Sequence, residues 1–68
     1  MKLIALLIER SIEALHKHGV RGMPDSCEIE QHNYRVWSVS LNGWIVFLDT
    51  KNGEPEVYHS LPLLVWNG

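Results

Sequence analysis

The chain predicts an α+β fold, with one N-terminal amphipathic helix packed on an antiparallel β-meander of four strands, to which the tail can add a fifth. Three observations carry this. Apolar residues recur at helical spacing between Lys2 and His18. An Asn-Gly pair, Asn42-Gly43, separates two apolar runs, Arg35–Leu41 and Trp44–Leu48. A second pair, Asn52-Gly53, follows soon after. Asn-Gly accepts the positive φ angles that a tight hairpin needs, so these pairs mark turns and set strand register. With 68 residues the chain is one domain, and it buries only a modest share of its surface.

The helix is expected over about 2–18. At 100° per residue, Ile4, Ala5, Ile8, Ile12 and Leu15 cluster on one arc. Leu3, Leu7 and Ala14 widen that arc to roughly 200°. Lys2, Glu9, Arg10, Glu13 and Lys17 take the opposite side, where Leu6 also falls. Leu6 is therefore either a lone exposed leucine or a contact for a partner. Gly19 suits the position just past the helix, with Val20 supplying an apolar contact. Residues 19–26 form a connector, punctuated by Gly22 and Pro24.

The meander is expected over 27–68. Cys27 to Gln31 alternates apolar and polar residues, as a short first strand does. His32-Asn33 makes a turn into the second strand, Tyr34 to Leu41. A two-residue turn at Asn42-Gly43 pairs Leu41 with Trp44, Val39 with Val46 and Trp37 with Leu48. These six residues define an inner face that packs on Ile4, Ile8, Ile12 and Leu15. The outer face then carries Val36, Ser38, Ser40, Ile45, Phe47 and Asp49, a mixture unusual for a solvated face. The second turn is open to two readings. A two-residue turn places Phe47 opposite Tyr58 and His59 opposite Val46, on the inner face. A longer loop with Gly53 in a left-handed bulge relieves the pairing of Asp49 with Glu56. The tail, Leu61 to Gly68, is strongly apolar and has to fold back on the body or bury itself in a partner. Its expected place is a fifth strand.

Six basic and eight acidic residues give a net charge of −2, too weak for a nucleic-acid-binding face or a DNA mimic. One cysteine, Cys27, permits no internal disulfide and favours the cytosol. The apolar run from Leu3 to Ile8 stops at Glu9-Arg10 without a cleavage signature and is far too short to span a bilayer.

Chemistry-bearing groups are sparse. Cys27, His16, His18, His32 and His59 are the soft ligands, but no Cys-x-x-Cys occurs, and His16 and His18 point about 200° apart on a helix. Cys27 reads better as a small core residue than as a nucleophile. Ser38 and Ser40 lack an activating elbow, and no loop of phosphate-binding type is present. No catalytic residue, metal ligand, cofactor, nucleic-acid or membrane partner is expected.

What remains is the outer sheet face. Tyr34, Val36, Ser38, Ile45, Phe47 and Tyr58, extended by Trp66 and Leu6, make an amphipathic set of the kind found at interface centres. Either this face is free to bind, in which case Phe47→Ser removes binding without harming the fold, or the apolar tail covers it. A helix followed by a meander ending in Phe47-Leu48-Asp49-Thr50-Lys51-Asn52-Gly53-Glu54-Pro55 resembles the PepSY-type module. That resemblance implies the topology and no activity. The expectation is a small non-enzymatic protein-binding module, in the style of phage or mobile-element inhibitors and immunity proteins. The alternative is a small homodimeric structural subunit, and a metal-binding or catalytic protein ranks third.

Overall fold

Helix α1 (Lys2–Lys17) lies across one face of a four-stranded antiparallel sheet, β1 (Glu28–Gln31), β2 (Val36–Leu41), β3 (Trp44–Asp49) and β4 (Glu56–Pro62). The computed structural model describes residues 2–22, 24 and 26–66. Strand order follows chain order, so β1 and β4 are the edges.

The Asn42-Gly43 turn forms as expected, with φ of 51° and 77° at its two residues. Both central residues are left-handed, which matches the natural twist of a two-residue hairpin. Leu41, Val39 and Trp37 pair with Trp44, Val46 and Leu48. The β2–β3 register is thus the one the sequence predicts, and it delivers Val39, Leu41, Val46 and Leu48 to the core. Cys27, Ile29 and Val57 pack against that core from the two flanks.

The helix presents most of the expected arc, turned toward Ser11 and away from Ala5 and Ile8. Leu7, Ser11 and Leu15 are its buried residues, with Leu3, Ile4 and Ile12 packed beside them. Ala5 is exposed, and Ile8 is half-buried outside the central cluster. The stripe is displaced because Ser11 is small and self-sufficient. Its Oγ donates to the Leu7 carbonyl at 2.7 Å, so the hydroxyl needs no water and the sheet can approach closely. The helix stops where expected. Gly19 has a φ of 81° and donates to the His16 carbonyl, Val20 donates to the Leu15 carbonyl, and Val20 packs on the core. This is a Schellman ending, with its apolar contact in place.

The second connection takes the longer form. Thr50 to Pro55 makes a loop in which Gly53 has positive φ and donates to the Thr50 carbonyl at 3.1 Å. Asp49 still faces Glu56, and Leu48 faces Val57. The irregularity lies further along, between Phe47 and Leu48, where β4 carries one extra residue, Tyr58. His59 is therefore opposite Phe47 on the outer face and exposed, rather than opposite Val46 in the core. Ser60 takes the position facing Val46.

A fifth strand is absent among the described residues. The chain leaves β4 at Pro62 and makes a 3₁₀ turn, Leu63–Val65. The expected placement of Asn67 and Gly68 lies outside the described residues.

Leu48→Ala, at a fully buried site, is expected to cost about 2–5 kcal/mol in urea unfolding. Ile8→Ala, at the rim of the helix stripe, should cost well under half as much. Equal losses would place the helix contact back on Ile8.

Candidate functional site

The outer face of the sheet is built around Phe47, the centre of the longest strand pairings. Four rings surround it. Trp66 meets it edge-on with centroids 5.1 Å apart, His32 lies at 5.9 Å, His59 at 6.0 Å and Tyr58 at 6.3 Å. Phe47 keeps only 9% of its surface exposed, and Ile45 and Ser38 beside it are buried. Ser38 is satisfied by a 2.8 Å hydrogen bond between its Oγ and His32 Nε2.

The open question about this face is answered by the tail. After Pro62 the chain turns over the outer face instead of continuing the sheet. Leu63 donates its amide to the Gly43 carbonyl at 2.8 Å, and Trp66 donates to the Leu63 carbonyl at 3.1 Å. The segment Leu63–Trp66, here called the strap, sends one side chain inward. Trp66 is 37% exposed, whereas Leu64 is 97% exposed and Val65 more than half exposed. Burying nearly two-thirds of a tryptophan of about 250 Å² contributes roughly 4 kcal/mol at ~25 cal/mol/Å². Ordering each residue of the strap costs roughly 1–2 kcal/mol. Over four residues that is roughly 4–8 kcal/mol, so burial of Trp66 offsets only the lower part of the cost and the strap is weakly held.

The eight residues expected to form one patch are therefore divided. Ser38, Ile45 and Phe47 are buried, Phe47 against Trp66 and Ser38 against His32, with Val36 half-buried on the same face. Tyr58 and Trp66 stand at the surface beside Phe47. Tyr34 is 85% exposed in the β1–β2 turn, where Asn33 Oδ1 accepts the amides of Arg35 and Val36 at 2.9 Å. Leu6 is half-buried on the helix, on the other side of the sheet. Leu63, Leu64 and Val65 join the exposed set, whereas the expected fifth strand puts them in the sheet. Their run with Pro62 was the available signal, since a proline leaving an edge strand removes a ladder donor.

Polar groups fasten the same hairpin at its open end. Arg35 holds Asp49 with a bidentate pair, Nε to Oδ1 at 3.1 Å and a second nitrogen to Oδ2. Asp49 Oδ1 also accepts the Lys51 amide at 2.8 Å, and Thr50 returns its amide and hydroxyl to the Arg35 carbonyl. Hydrogen bonding from Arg35, and then from the Lys51 amide, holds the Asp49 carboxyl below the usual carboxylate range. The same pairing raises Arg35.

On the helix side, His18 stacks on Trp44 at 4.8 Å and shares a 3.1 Å hydrogen bond with Ser60. Shallow depressions of about 270 and 400 Å³ run between α1 and β4, sharing Ala14, Lys17 and Val57. Another of about 330 Å³ lies by Glu28, Glu30, Ser38 and Ser40. Among the described residues, no three His, Cys, Asp or Glu side chains come together as a ligand set, and no helix is long and apolar enough to cross a membrane.

No family model, no curated protein and no solved structure matches this chain. The PepSY-type resemblance of the sequence finds no support in these comparisons.

The burial of Phe47 changes what its substitution does. Phe47→Ser is expected to destabilise the domain by about 3 kcal/mol or more, read as a lower urea midpoint, because the void lies beneath four rings. A domain of unchanged stability would mean that the strap does not seat on Phe47.

The Asp49 pair sets an acid dependence. Its lowered folded-state value means that its stabilisation is complete above the ordinary carboxylate pKa of about 4. That contribution is lost as pH falls through the lower folded value. Asp49→Asn should reduce stability at pH 7 and flatten the loss below about pH 4, measured by urea midpoints across that range. An unchanged slope would remove the pair from the linkage.

Proposed function

We propose that the chain is a small non-enzymatic protein-binding module that works by occluding a partner's surface. The observation that carries this reading is the apolar strip at the end of β4. Tyr58, Leu63, Leu64, Val65 and Trp66 are all exposed, Leu64 almost completely, on a domain with few apolar residues to spare for solvent. From Tyr58 to Trp66 the chain carries no Asp, Glu, Lys or Arg. An uncharged apolar centre with aromatic members at its edge suits a protein interface, where charged residues are depleted.

In the closed state the strip is held at two points. The Leu63–Gly43 hydrogen bond ties it to the hairpin tip, and Trp66 ties it to Phe47. A segment tethered at two points loses less freedom on docking than a free tail does. Leu64 and Val65 are the residues that would enter a partner's apolar pocket. Tyr34 lies in the β1–β2 turn and would serve only a broad contact. This is a working style shared by phage or mobile-element inhibitors and immunity proteins, and with one cysteine the chain suits the cytosol.

A tagged chain is expected to retain one host protein in stoichiometric amount from an extract of its own cells. Leu64→Asp with Val65→Asp should lower that retention at least tenfold while the circular dichroism and urea midpoint stay unchanged. Undiminished retention by the double variant, or the absence of any retained protein, would overturn the reading.

A further inference from the structure

The strap follows the bulged strand β4 and has an anchor at each end. Its backbone is held at Leu63 by the Gly43 carbonyl, and Trp66 occupies the slot over Phe47. Pro62, just before it, is extended, with φ −62° and ψ 143°. Continuing in that conformation instead of turning at Leu63 would carry the strap away from its own sheet without altering β4. The turn at Leu63–Val65 is three residues long and has no side-chain cap.

We infer that the strap is exchangeable, and that its occupant in the open state is the strap of a second copy of this chain. Two molecules would each place Trp66 over the other's Phe47. The site on Phe47 already fits this segment, because it holds it within one chain. Every contact made in the closed monomer is made again in the pair, so exchange forfeits none of them. Like-charge opposition is also absent across the exchanged segments, since Tyr58 to Trp66 carry no formally charged side chain, His59 apart. Because burying Trp66 offsets only part of the cost of ordering the strap, opening is accessible. Raising the concentration then selects the exchanged form by mass action.

This inference goes beyond the proposed function and uses a different residue. Trp66 carries the exchange, whereas Leu64 and Val65 carry the capture of a foreign partner. The pair of readings can therefore fail separately.

The experiment is light scattering coupled to size exclusion over a concentration series, together with a labelled peptide of residues 61–66. The wild-type chain is expected to pass from monomer to dimer as concentration rises, and Leu64→Asp should do the same. Trp66→Ala should remain monomeric, because it keeps the slot and lacks the side chain that fills it. The peptide should bind Trp66→Ala at least tenfold more tightly than wild type, whose slot is filled by its own strap. A peptide with alanine in place of Trp66 should bind neither. Circular dichroism establishes that Trp66→Ala is folded. If it is not, the concentration series on wild type and Leu64→Asp, with peptide competition against the wild-type dimer, decides instead. A wild-type chain that stays monomeric at millimolar concentration overturns the inference. So does a dimer that persists in folded Trp66→Ala, or one that excess peptide fails to dissociate.

Discussion

The β2–β3 hairpin is fastened at both ends, and the rest of the fold is hung on it. At one end Asn42 and Gly43 take the left-handed conformation that a two-residue turn needs. At the other, Arg35 clamps Asp49 while Thr50 closes onto the Arg35 carbonyl. Between the two, side-chain parity admits no slip, because a shift of one residue would send Val39, Val46 and Leu48 to the outer face. In a domain of 68 residues the core is small, so the fastenings at the two ends add to what burial specifies. Polar fastening at the ends thus does work that a larger protein leaves to its interior. It also commits Arg35, which is engaged with a carboxylate and is not free to meet a phosphate.

Helix α1 follows from the face the hairpin offers. Val39, Leu41, Val46 and Leu48 form an apolar floor, and the helix meets it along Leu7, Ser11 and Leu15. A serine at the centre of the contact would be costly if its hydroxyl were orphaned. The bond to the Leu7 carbonyl removes that cost and leaves a side chain barely larger than alanine. Close approach at Ser11 leaves the bulkier Leu7 and Leu15 to fill the space on each side. His18, just beyond the helix, closes the same layer over Trp44.

Residues that obey local rules were legible in the sequence. The α+β class, the first hairpin and its register, and the helix ending at Gly19 each rest on short-range chemistry, and each is present. The helix stripe was misread because hydropathy ranks Ile8 above Ser11, and only the internal hydrogen bond of Ser11 reverses that order. The fifth strand was misread because an apolar run after a strand looks like another strand. Pro62, with no amide hydrogen to donate to a sheet, and the pull of the Phe47 slot decide against it. For the site, the sequence marked the outer face as needing a cover or a partner, and of its eight candidates Ser38, Ile45 and Phe47 are buried. It could not show that the tail closes over Phe47, since that contact joins residues far apart in the chain and has no local signature.

A single inserted residue determines which way the tail goes. Without the bulge, His59 would face Val46 and bring an imidazole into an apolar core, where its ring nitrogens would need partners. Ser60 would face Ile45, and Leu61 would turn inward toward the helix. With Tyr58 added, every later residue changes side. His59 moves out to stack on Phe47, Ser60 turns in to meet His18, and Leu61 lies beside Ile45 on the outer face. The strap consequently leaves the sheet over the outer face, where Phe47 is, and not over the face that the helix already fills. The apolar residues of the strap are exposed where they are because β4 carries one residue more than β3 can pair.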